Sequence, residues 1–293
     1  MLRAAVQLLF VALAALPAAA ETAVERGAYL VETILACGNC HTPKDPAGQP
    51  LRDRNLSGGH AFDTPTFAAT APNITPDRDT GIGGWSDQDI RRALVEGIRP
   101  DHARLAGVPL APVMPAGFYR AMLPEDLDAV IAYLRSVPPI RNRVPDPVYR
   151  RPAQHAAYPD AERPYAAADM ADPVTRGRYL ATIGHCMECH SPMVAGRVDY
   201  AHGLGRGGRR FDAALVHGFP ADWPGSVAPN VTRHPTAGLG AWTDAEIARA
   251  ITRGIGRDGR RLQPPMGFAW YAGLRPADVA ALVAWLRTVP PLD

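Results

Sequence analysis

The sequence has almost no lysine, little cysteine and only one long apolar run. Lys44 is the only lysine, so nearly every positive charge is an arginine. With 31 basic and 29 acidic residues the formal net charge is +2, which excludes nucleic-acid binding by bulk positive charge. After residue 20 no segment approaches the roughly 18 apolar residues of a membrane-spanning helix. We therefore expect no nucleic-acid partner and no transmembrane segment beyond that residue.

The one apolar run belongs to a secretory signal pattern. Arg3 precedes the apolar residues 4–16, which are followed by Pro17 and the small residues 18–20. An uncleaved membrane anchor is the alternative, but Pro17 and the Ala-x-Ala end favour cleavage. We therefore expect residues 1–20 to be removed and the mature protein to reside in a bacterial periplasm.

An internal repeat divides the rest of the chain. Four stretches recur in the same order: 26–43 with 176–192, 58–63 with 207–212, 71–98 with 228–255, and 123–140 with 274–292. The period is far longer than the roughly 20 to 50 residues of solenoid repeats, so each copy is expected to fold as a domain. The unmatched segment 141–172 is rich in Pro, Arg and Ala and reads as a linker. The predicted organisation is a signal peptide 1–20, a first half 21–140, the linker, and a second half 173–293.

The apolar periodicity predicts that both halves are mainly α-helical. A helical stripe precedes the first cysteine pair, at Val24, Ala28, Val31 and Leu35. Two further helices have capping-box starts and C-cap glycines, at Ser86, Asp89 and Gly97 and at Thr243, Glu246 and Gly254. No alternating run of strand residues stands out. A few helices with long Pro/Gly loops make a thin core, so a non-peptidic group is expected to fill the middle of each half.

The cysteines indicate what that group is. All four lie in two CxxCH motifs, formed by Cys37, Cys40 and His41 and by Cys186, Cys189 and His190. The spacing places both sulfurs on one side of a helical turn, where they can form thioethers with the two vinyl groups of a haem. The adjacent histidine then projects under the iron. Two covalently bound haem c groups are therefore predicted, and export agrees because this attachment is extracytoplasmic.

Other uses of paired cysteines fit less well. A zinc site needs four ligands, and each motif supplies three. One zinc site shared by all four cysteines would leave both histidines unexplained. A thioredoxin-like dithiol would need a βαβ setting, which the pattern lacks. A disulfide within each pair remains chemically allowed in an exported protein.

Two methionines recur at matched positions and are the candidate second iron ligands. Met114 in LAPVMPAGFY matches Met266 in LQPPMGFAWY, and an aromatic pair follows each, at 118–119 and 270–271. An ordinary core role is the alternative, but recurrence favours ligation. The predicted iron ligands are therefore His41, Met114, His190 and Met266, and no catalytic residue is expected. The aromatic pairs are expected to pack on the haems.

The remaining histidines have no matched partner in the repeat. His60 aligns with Arg209, and His185 stands opposite Ala36. Those without any counterpart are His102, His155, His202, His217 and His234. We expect the unmatched histidines, with His60, to be exposed or in loops.

The paired halves closely resemble dihaem c-type cytochromes, and most of all the cytochrome c subunits of periplasmic alcohol and gluconate dehydrogenases. The likeness rests on the CxxCH motifs and on APNITPDRDTGIGGWSDQDI (71–90) with its repeat, and it covers nearly the whole mature chain. The sequence differs in having two haem motifs rather than three and no C-terminal membrane-binding helix. The resemblance implies two tandem cytochrome c-like domains, each of a few helices around one haem. It also implies that the carbonyls of Pro43 and Pro192 accept hydrogen bonds from the proximal imidazoles.

Two axial ligands per iron leave no open position, which favours electron transfer over catalysis. The predicted role is a shuttle or a dehydrogenase subunit, with a periplasmic dehydrogenase as donor and another cytochrome or a terminal oxidase as acceptor. A dihaem peroxidase, with one vacant or labile distal site, is the alternative enzyme. A module of two disulfide-stapled domains is the third possibility. The surroundings of the motifs differ, Gly38-Asn39 against Met187-Glu188, so the two potentials are expected to differ in an order that the sequence leaves open.

Overall fold

The computed structural model describes residues 20–155 and 157–293. The predicted signal peptide therefore lies outside the described residues, except for Ala20. Within the described ranges the chain forms ten α-helices and seven short β-strands. The mainly helical fold is confirmed. No helix in these ranges has both the length and the apolar character needed to cross a membrane.

The first half contains five helices and one small sheet. The helices are α1 (Ala23–Glu32), α2 (Cys37–His41), α3 (Asp87–Glu96), α4 (Ala116–Tyr119) and α5 (Pro124–Ser136). The strands are β1 (Ala61–Asp63), β2 (Phe67–Thr70) and β3 (Val148–Tyr149). They pair antiparallel in the order β1-β2-β3, so a piece of the predicted linker extends this sheet.

The second half repeats the helices in the same order. They are α6 (Pro173–Ile183), α7 (Cys186–His190), α8 (Asp244–Arg253), α9 (Phe268–Tyr271) and α10 (Pro276–Leu286). Two antiparallel pairs accompany them, β4 (Met193–Val194) with β5 (Arg197–Val198), and β6 (Arg210–Phe211) with β7 (Ser226–Val227). The sequence analysis found no strands, because segments of two to four residues are too short to show an alternating pattern.

The predicted caps of α3 and α8 are confirmed. Both helices begin at a capping box, in which the Ser or Thr hydroxyl accepts from the N3 backbone and the N3 carboxylate accepts from the cap backbone. Both end at a glycine in the left-handed region, Gly97 with φ 71° and Gly254 with φ 61°.

The first and last helices of each half cross at a glycine. A Cβ atom on Gly27 would lie 1.9 Å from the carbonyl oxygen of Ala129, and one on Gly177 would lie 1.9 Å from that of Ala281. The glycines therefore let α1 contact the backbone of α5, and α6 that of α10. Val24 is 41% exposed, because the predicted stripe begins in the first turn of α1, outside this crossing.

A reciprocal pair of hydrogen bonds joins the two helix pairs. The Tyr29 hydroxyl on α1 donates to Asp278 on α10, and the Tyr179 hydroxyl on α6 donates to Asp126 on α5. The four residues occupy matched positions in the repeat. Each half therefore supplies one tyrosine and one carboxylate to the joint.

An arginine of the same half neutralises each of these buried carboxylates. Arg26 lies 2.7 Å from Asp126, and Arg176 lies 2.6 Å from Asp278. A buried carboxylate is costly unless it is paired and hydrogen-bonded, and here each has both kinds of partner. Each carboxylate therefore receives an ion pair from the arginine of its own half and a hydrogen bond from the tyrosine of the other half.

The segment 141–172 is held against the protein. It contains two short 3₁₀ helices, Pro159–Ala161 and Ala167–Ala171, and a third, Arg52–Arg54, lies in the first half. Tyr158 is buried, and the backbone N–H of Tyr165 donates to the carbonyl of Ala121. The segment therefore contributes to the core between the halves.

Candidate functional site

One large cavity is lined by all eight residues predicted to bind haem. Its volume is about 2400 Å³, and both halves contribute to its walls. The eight residues are Cys37, Cys40, His41, Met114, Cys186, Cys189, His190 and Met266. The structure thus brings each motif and its matched methionine to a common space, while their roles as anchors and ligands remain predictions.

Each CxxCH motif forms its own short helix, α2 or α7. The residue before it has a left-handed backbone, Ala36 with φ 47° and His185 with φ 43°. This conformation is uncommon for residues other than glycine, and it lets a new helix begin a few residues after the preceding one ends. The same turn in both halves shows that the two motifs are presented in the same way.

The four cysteine side chains lie where burial disfavours a charged sulfur. Burial raises the pKa of Cys37, Cys186 and Cys189 to about 12, and it also raises that of Cys40. The thiols are therefore uncharged, which suits a cavity for an apolar macrocycle. In the described part of the chain no three His, Cys, Asp or Glu side chains are grouped to hold a metal ion, so the shared zinc site is not formed there.

The two motif histidines have the same orientation. Nδ1 of His41 lies 2.7 Å from the carbonyl oxygen of Pro72, and Nδ1 of His190 lies 2.9 Å from that of Pro229. Since a carbonyl can only accept, Nδ1 carries the proton and Nε2 keeps its lone pair. Burial lowers the pKa of both histidines, so the rings are neutral. A neutral imidazole with a free Nε2 is the form that binds iron.

The predicted acceptors of these hydrogen bonds, Pro43 and Pro192, are wrong. The Pro43 carbonyl accepts from the backbone of Leu51 at 2.8 Å, and the Pro192 carbonyl from that of Asp199 at 2.9 Å. Both prolines lie just after the motif, where the chain turns away into a loop. The imidazoles instead donate to the carbonyls of Pro72 and Pro229, which lie in the two Ala-Pro-Asn stretches. These stretches carry part of the family resemblance, but no structural role was predicted for them from the sequence.

Asparagine side chains hold the loops that carry those acceptors. The amide of Asn73 donates to the carbonyl of Ile140 at 2.6 Å, and the amide of Asn230 donates to that of Leu292 at the same distance. The Asn73 side-chain oxygen accepts from the backbone of Thr75 at 2.9 Å. Each loop is thereby tied to the chain beyond the last helix of its half, which fixes the carbonyl under the histidine.

The two methionine loops have equivalent backbones. The residue after the methionine is Pro115 in the first half, with φ −82° and ψ 48°, and Gly267 in the second, with φ −82° and ψ 49°. Of each following aromatic pair only the tyrosine, Tyr119 or Tyr271, lines the cavity. The prediction that whole aromatic pairs face the haem is therefore too broad. Trp270 instead packs on the first motif, within 2.7 Å of a Cβ placed on Gly38.

Three buried polar atoms of cavity-lining residues have no hydrogen-bond partner within residues 20–155 and 157–293. They are Nε2 of His155, Nδ1 of His185 and the hydroxyl of Tyr200. Nδ1 of His155 donates to the carbonyl oxygen of Met114 at 3.0 Å, so this half-buried histidine supports the methionine loop and its Nε2 is an acceptor. The Tyr200 hydroxyl is an unpaired donor beside an apolar space, which fits a ligand with a polar edge, such as the propionates of haem.

His60 lies in a loop, as expected, but the loop buries its side chain instead of exposing it. It is 5% exposed, lines the cavity, and its ring centroid lies 4.8 Å from that of Phe62 and 5.4 Å from that of Phe219. Burial lowers its pKa to about 3, so the ring is neutral. The contact with Phe219 could not be predicted from the sequence, because Phe219 belongs to the second half.

Comparison with known proteins finds a family model and several relatives to which this chain is similar. Residues 174–290 match the family model for cytochrome c. The chain is 30% identical to the fructose dehydrogenase cytochrome subunit of Gluconobacter japonicus, over 91% of this chain and 52% of the relative. It is 32% identical to the cytochrome c subunit of alcohol dehydrogenase (quinone) from Gluconobacter oxydans, over 80% of this chain and 47% of the relative.

A shorter relative is covered more completely. The diheme cytochrome c-type protein of Cereibacter sphaeroides is 28% identical over 88% of this chain and 83% of its own length. The chain thus spans about half the length of the two dehydrogenase subunits but most of this dihaem protein.

Proposed function

We propose, from the match of residues 174–290 to the cytochrome c family model, that the protein is a periplasmic dihaem c-type cytochrome that transfers electrons. The whole chain resembles cytochrome c subunits of sugar and alcohol dehydrogenases and a dihaem cytochrome. The proposal includes two domains, 21–140 and 173–293, joined by 141–172 after export and removal of 1–20.

The observation that carries the proposal is the duplication of the site's geometry. In each half a CxxCH helix presents two thiols and one histidine to the cavity, and a carbonyl fixes the histidine's tautomer. The family-model match covers residues 174–290, and the first half repeats the same arrangement. This supports one haem in each half rather than one in the chain.

Each group of residues has a distinct task. The cysteines would tether the macrocycle, and Nε2 of His41 and of His190 would bind the iron. Met114 and Met266 would close the other face with their thioether sulfurs. Haem c supplies a one-electron couple at the iron, and the protein's part is to hold both ligands and keep water away. The equivalent methionine loops support closed sites in both halves, which disfavours the dihaem peroxidase.

The partners follow from this role. We propose a periplasmic dehydrogenase as electron donor and a further cytochrome or a terminal oxidase as acceptor. The dehydrogenase complexes named for the relatives support a donor of this class. The protein acts either as a free shuttle or as the electron-accepting subunit of such a complex.

Haem stoichiometry in cysteine variants tests the proposal. The exported protein, matured by a c-type haem assembly system, should contain two haems that survive denaturation. The double variant Cys37→Ala/Cys40→Ala should keep one, and Cys186→Ala/Cys189→Ala should keep the other. The measurements are the pyridine haemochrome spectrum and the intact mass. A colourless wild-type protein, or haem lost on denaturation, would overturn the proposal.

A further inference from the structure

The only lysine of the chain lies directly behind the wall of the first haem site. Nζ of Lys44 is 3.5 Å from Oδ1 of Asn39 and 3.5 Å from Nδ1 of His60. Asn39 and His60 both line the cavity, and Asn39 lies between the two cysteines of the first motif. The ammonium is therefore one side chain removed from the space that the haem would occupy.

This ammonium has no carboxylate partner in the described part of the chain. The surrounding groups are neutral, since His60 is uncharged and Asn39 offers only its amide oxygen. Burial lowers the pKa of Lys44 to about 8, so most of the side chain is still charged at neutral pH. A half-buried and unpaired cation is unfavourable for folding, so its position calls for a functional reason.

The second half covers this cation. The ammonium lies 4.3 Å from the ring centroid of Phe219. The strand β1 holds the covering segment, because the backbone N–H of Asp63 donates to Leu215 and that of His217 donates to Ala61. The aromatic cover limits screening by water and salt, so the charge acts over a longer distance than a surface lysine would.

The equivalent place in the second half has no such charge. The repeat aligns Lys44 with Met193, which is 45% exposed, and Asn39 with Glu188. Glu188 has Arg209 as its cationic neighbour, at 3.9 Å. Lys44 therefore has no acidic partner of its own, whereas Glu188 is paired with Arg209. Glu32 and Glu188 are the carboxylates whose charge reaches Cys37 and Cys40.

We propose that Lys44 raises the reduction potential of the haem in the first half above that of the haem in the second half. A nearby positive charge disfavours ferric iron, which carries one more positive charge than ferrous iron. One electron then passes from ferrous iron in the second half to ferric iron in the first, and no bond or proton moves. The inference rests on the proposed function and adds its direction: electrons enter at the second half and leave from the first.

Redox titration of charge variants of the intact dihaem protein tests this order. In Lys44→Met, which installs the residue found at the matched position, the higher of the two midpoint potentials should fall and the lower should stay. We expect a change of about tenfold in the equilibrium constant between the haems, which is 59 mV for one electron. Lys44→Arg keeps the charge and should keep both potentials near the wild-type values.

Two further variants sharpen the test. Met193→Lys places an ammonium at the exposed matched position, where solvent screens it, and should move the lower potential only slightly. Glu188→Gln should raise the lower potential. If Lys44→Met does not incorporate both haems, Lys44→Gln serves as the second neutral variant.

The possible outcomes distinguish a failure of the Lys44 inference from a failure of the proposed function. Wild-type protein without haem overturns both. Two haems with unchanged potentials in the neutral Lys44 variants overturn the tuning role alone. A fall of the lower potential, instead of the higher, overturns the proposed direction of electron flow.

Discussion

At the scale of single residues, small groups outside the motifs determine how the motif residues behave. The carbonyls of Pro72 and Pro229 fix the tautomer of His41 and His190, although they lie 31 and 39 residues away in sequence. A carbonyl acceptor strengthens an imidazole as a ligand because it stabilises the proton on the other nitrogen. The proposed methionine ligands and Lys44 are further single residues whose effects can be tested one at a time.

Replacing Met114 or Met266 with alanine should remove one sulfur ligand each. We expect each variant to lose the sulfur-to-iron charge-transfer band of one haem and to lower the potential of that haem. Optical spectra and redox titrations provide the measurement. Met122→Leu is the matched control, because Met122 is a buried core residue that aligns with Leu274. Alanine variants with wild-type bands would show that the assigned ligands are wrong.

The first-half potential should depend on pH in a defined window. The pKa of Lys44 lies at about 8 in the folded protein because burial disfavours the charged form. Below this pH the ammonium raises the potential, so the potential should fall as pH rises through about 8. The groups that face the ammonium are Cys40, Asn39, His60, His217 and Phe219.

None of these neighbours accounts for a transition near pH 8. The pKa of His60 is about 3, and Cys40 would be a thioether in the haem protein. Potentials recorded from pH 6 to 10 should therefore show the transition in wild type and not in Lys44→Met. A transition of equal size in both proteins would assign it to another group.

The sequence indicates the candidate site residues more readily than the contacts that support them. CxxCH and the matched methionines are local or repeated patterns, so residue order alone makes them candidates. The contact between His41 and Pro72, and the one between Lys44 and Phe219, join segments that only the fold brings together. For the contact between His41 and Pro72, the recurring Ala-Pro-Asn stretch was the available sequence signal. For the contact between Lys44 and Phe219, the signal was that the sequence has no other lysine.

At the scale of elements, each half depends on a close crossing of its first and last helices. The capping boxes and C-cap glycines of α3 and α8 were predictable because they are contacts between near neighbours. The crossings were not, because Gly27 and Gly177 look like ordinary helix-interior glycines until α5 and α10 are placed against them. The strands escaped prediction because segments of two to four residues are too short to show an alternating pattern.

Alanine at either crossing should separate the helices and destabilise the protein. The added Cβ would meet a backbone carbonyl at 1.9 Å in both Gly27→Ala and Gly177→Ala, and backbone cannot move as a side chain can. We expect a loss of about 1–3 kcal/mol in the free energy of unfolding, measured by denaturant titration. Gly84→Ala is the control, since nothing lies within 4 Å of its new Cβ. Equal stability of all three variants would contradict the crossing.

At the scale of the whole molecule, the two halves interlock rather than hang from a flexible connector. Tyr29 and Tyr179 exchange hydrogen bonds with the carboxylates of the opposite half. The amide of Asn39, in the first motif, donates to the carbonyl of Pro265, next to the second methionine, at 3.0 Å. The repeat predicted equivalent halves, but it gave no information on how they face each other. This contact keeps each proposed haem site in a fixed relation to the other.

Removing the hydroxyl of Tyr29 or of Tyr179 should weaken the contact between the halves by a similar amount. Asp126 and Asp278 are buried, so Tyr29→Phe or Tyr179→Phe leaves a carboxylate oxygen short of one donor. We expect each variant to lose about 1–3 kcal/mol of stability and the double variant to lose the sum, by thermal or denaturant unfolding. The two single variants are matched controls for each other. Wild-type stability in the double variant would mean that these bonds do not hold the halves together.

The most direct test of the account is the response of the reduced, purified protein to carbon monoxide, followed in the visible spectrum. We expect the bands of two c-type haems per chain and no change on adding the gas, because the proposed histidine and methionine ligands would leave no open position on either iron. A chain without haem bands, or a spectrum that shifts as carbon monoxide binds at either iron, would contradict it.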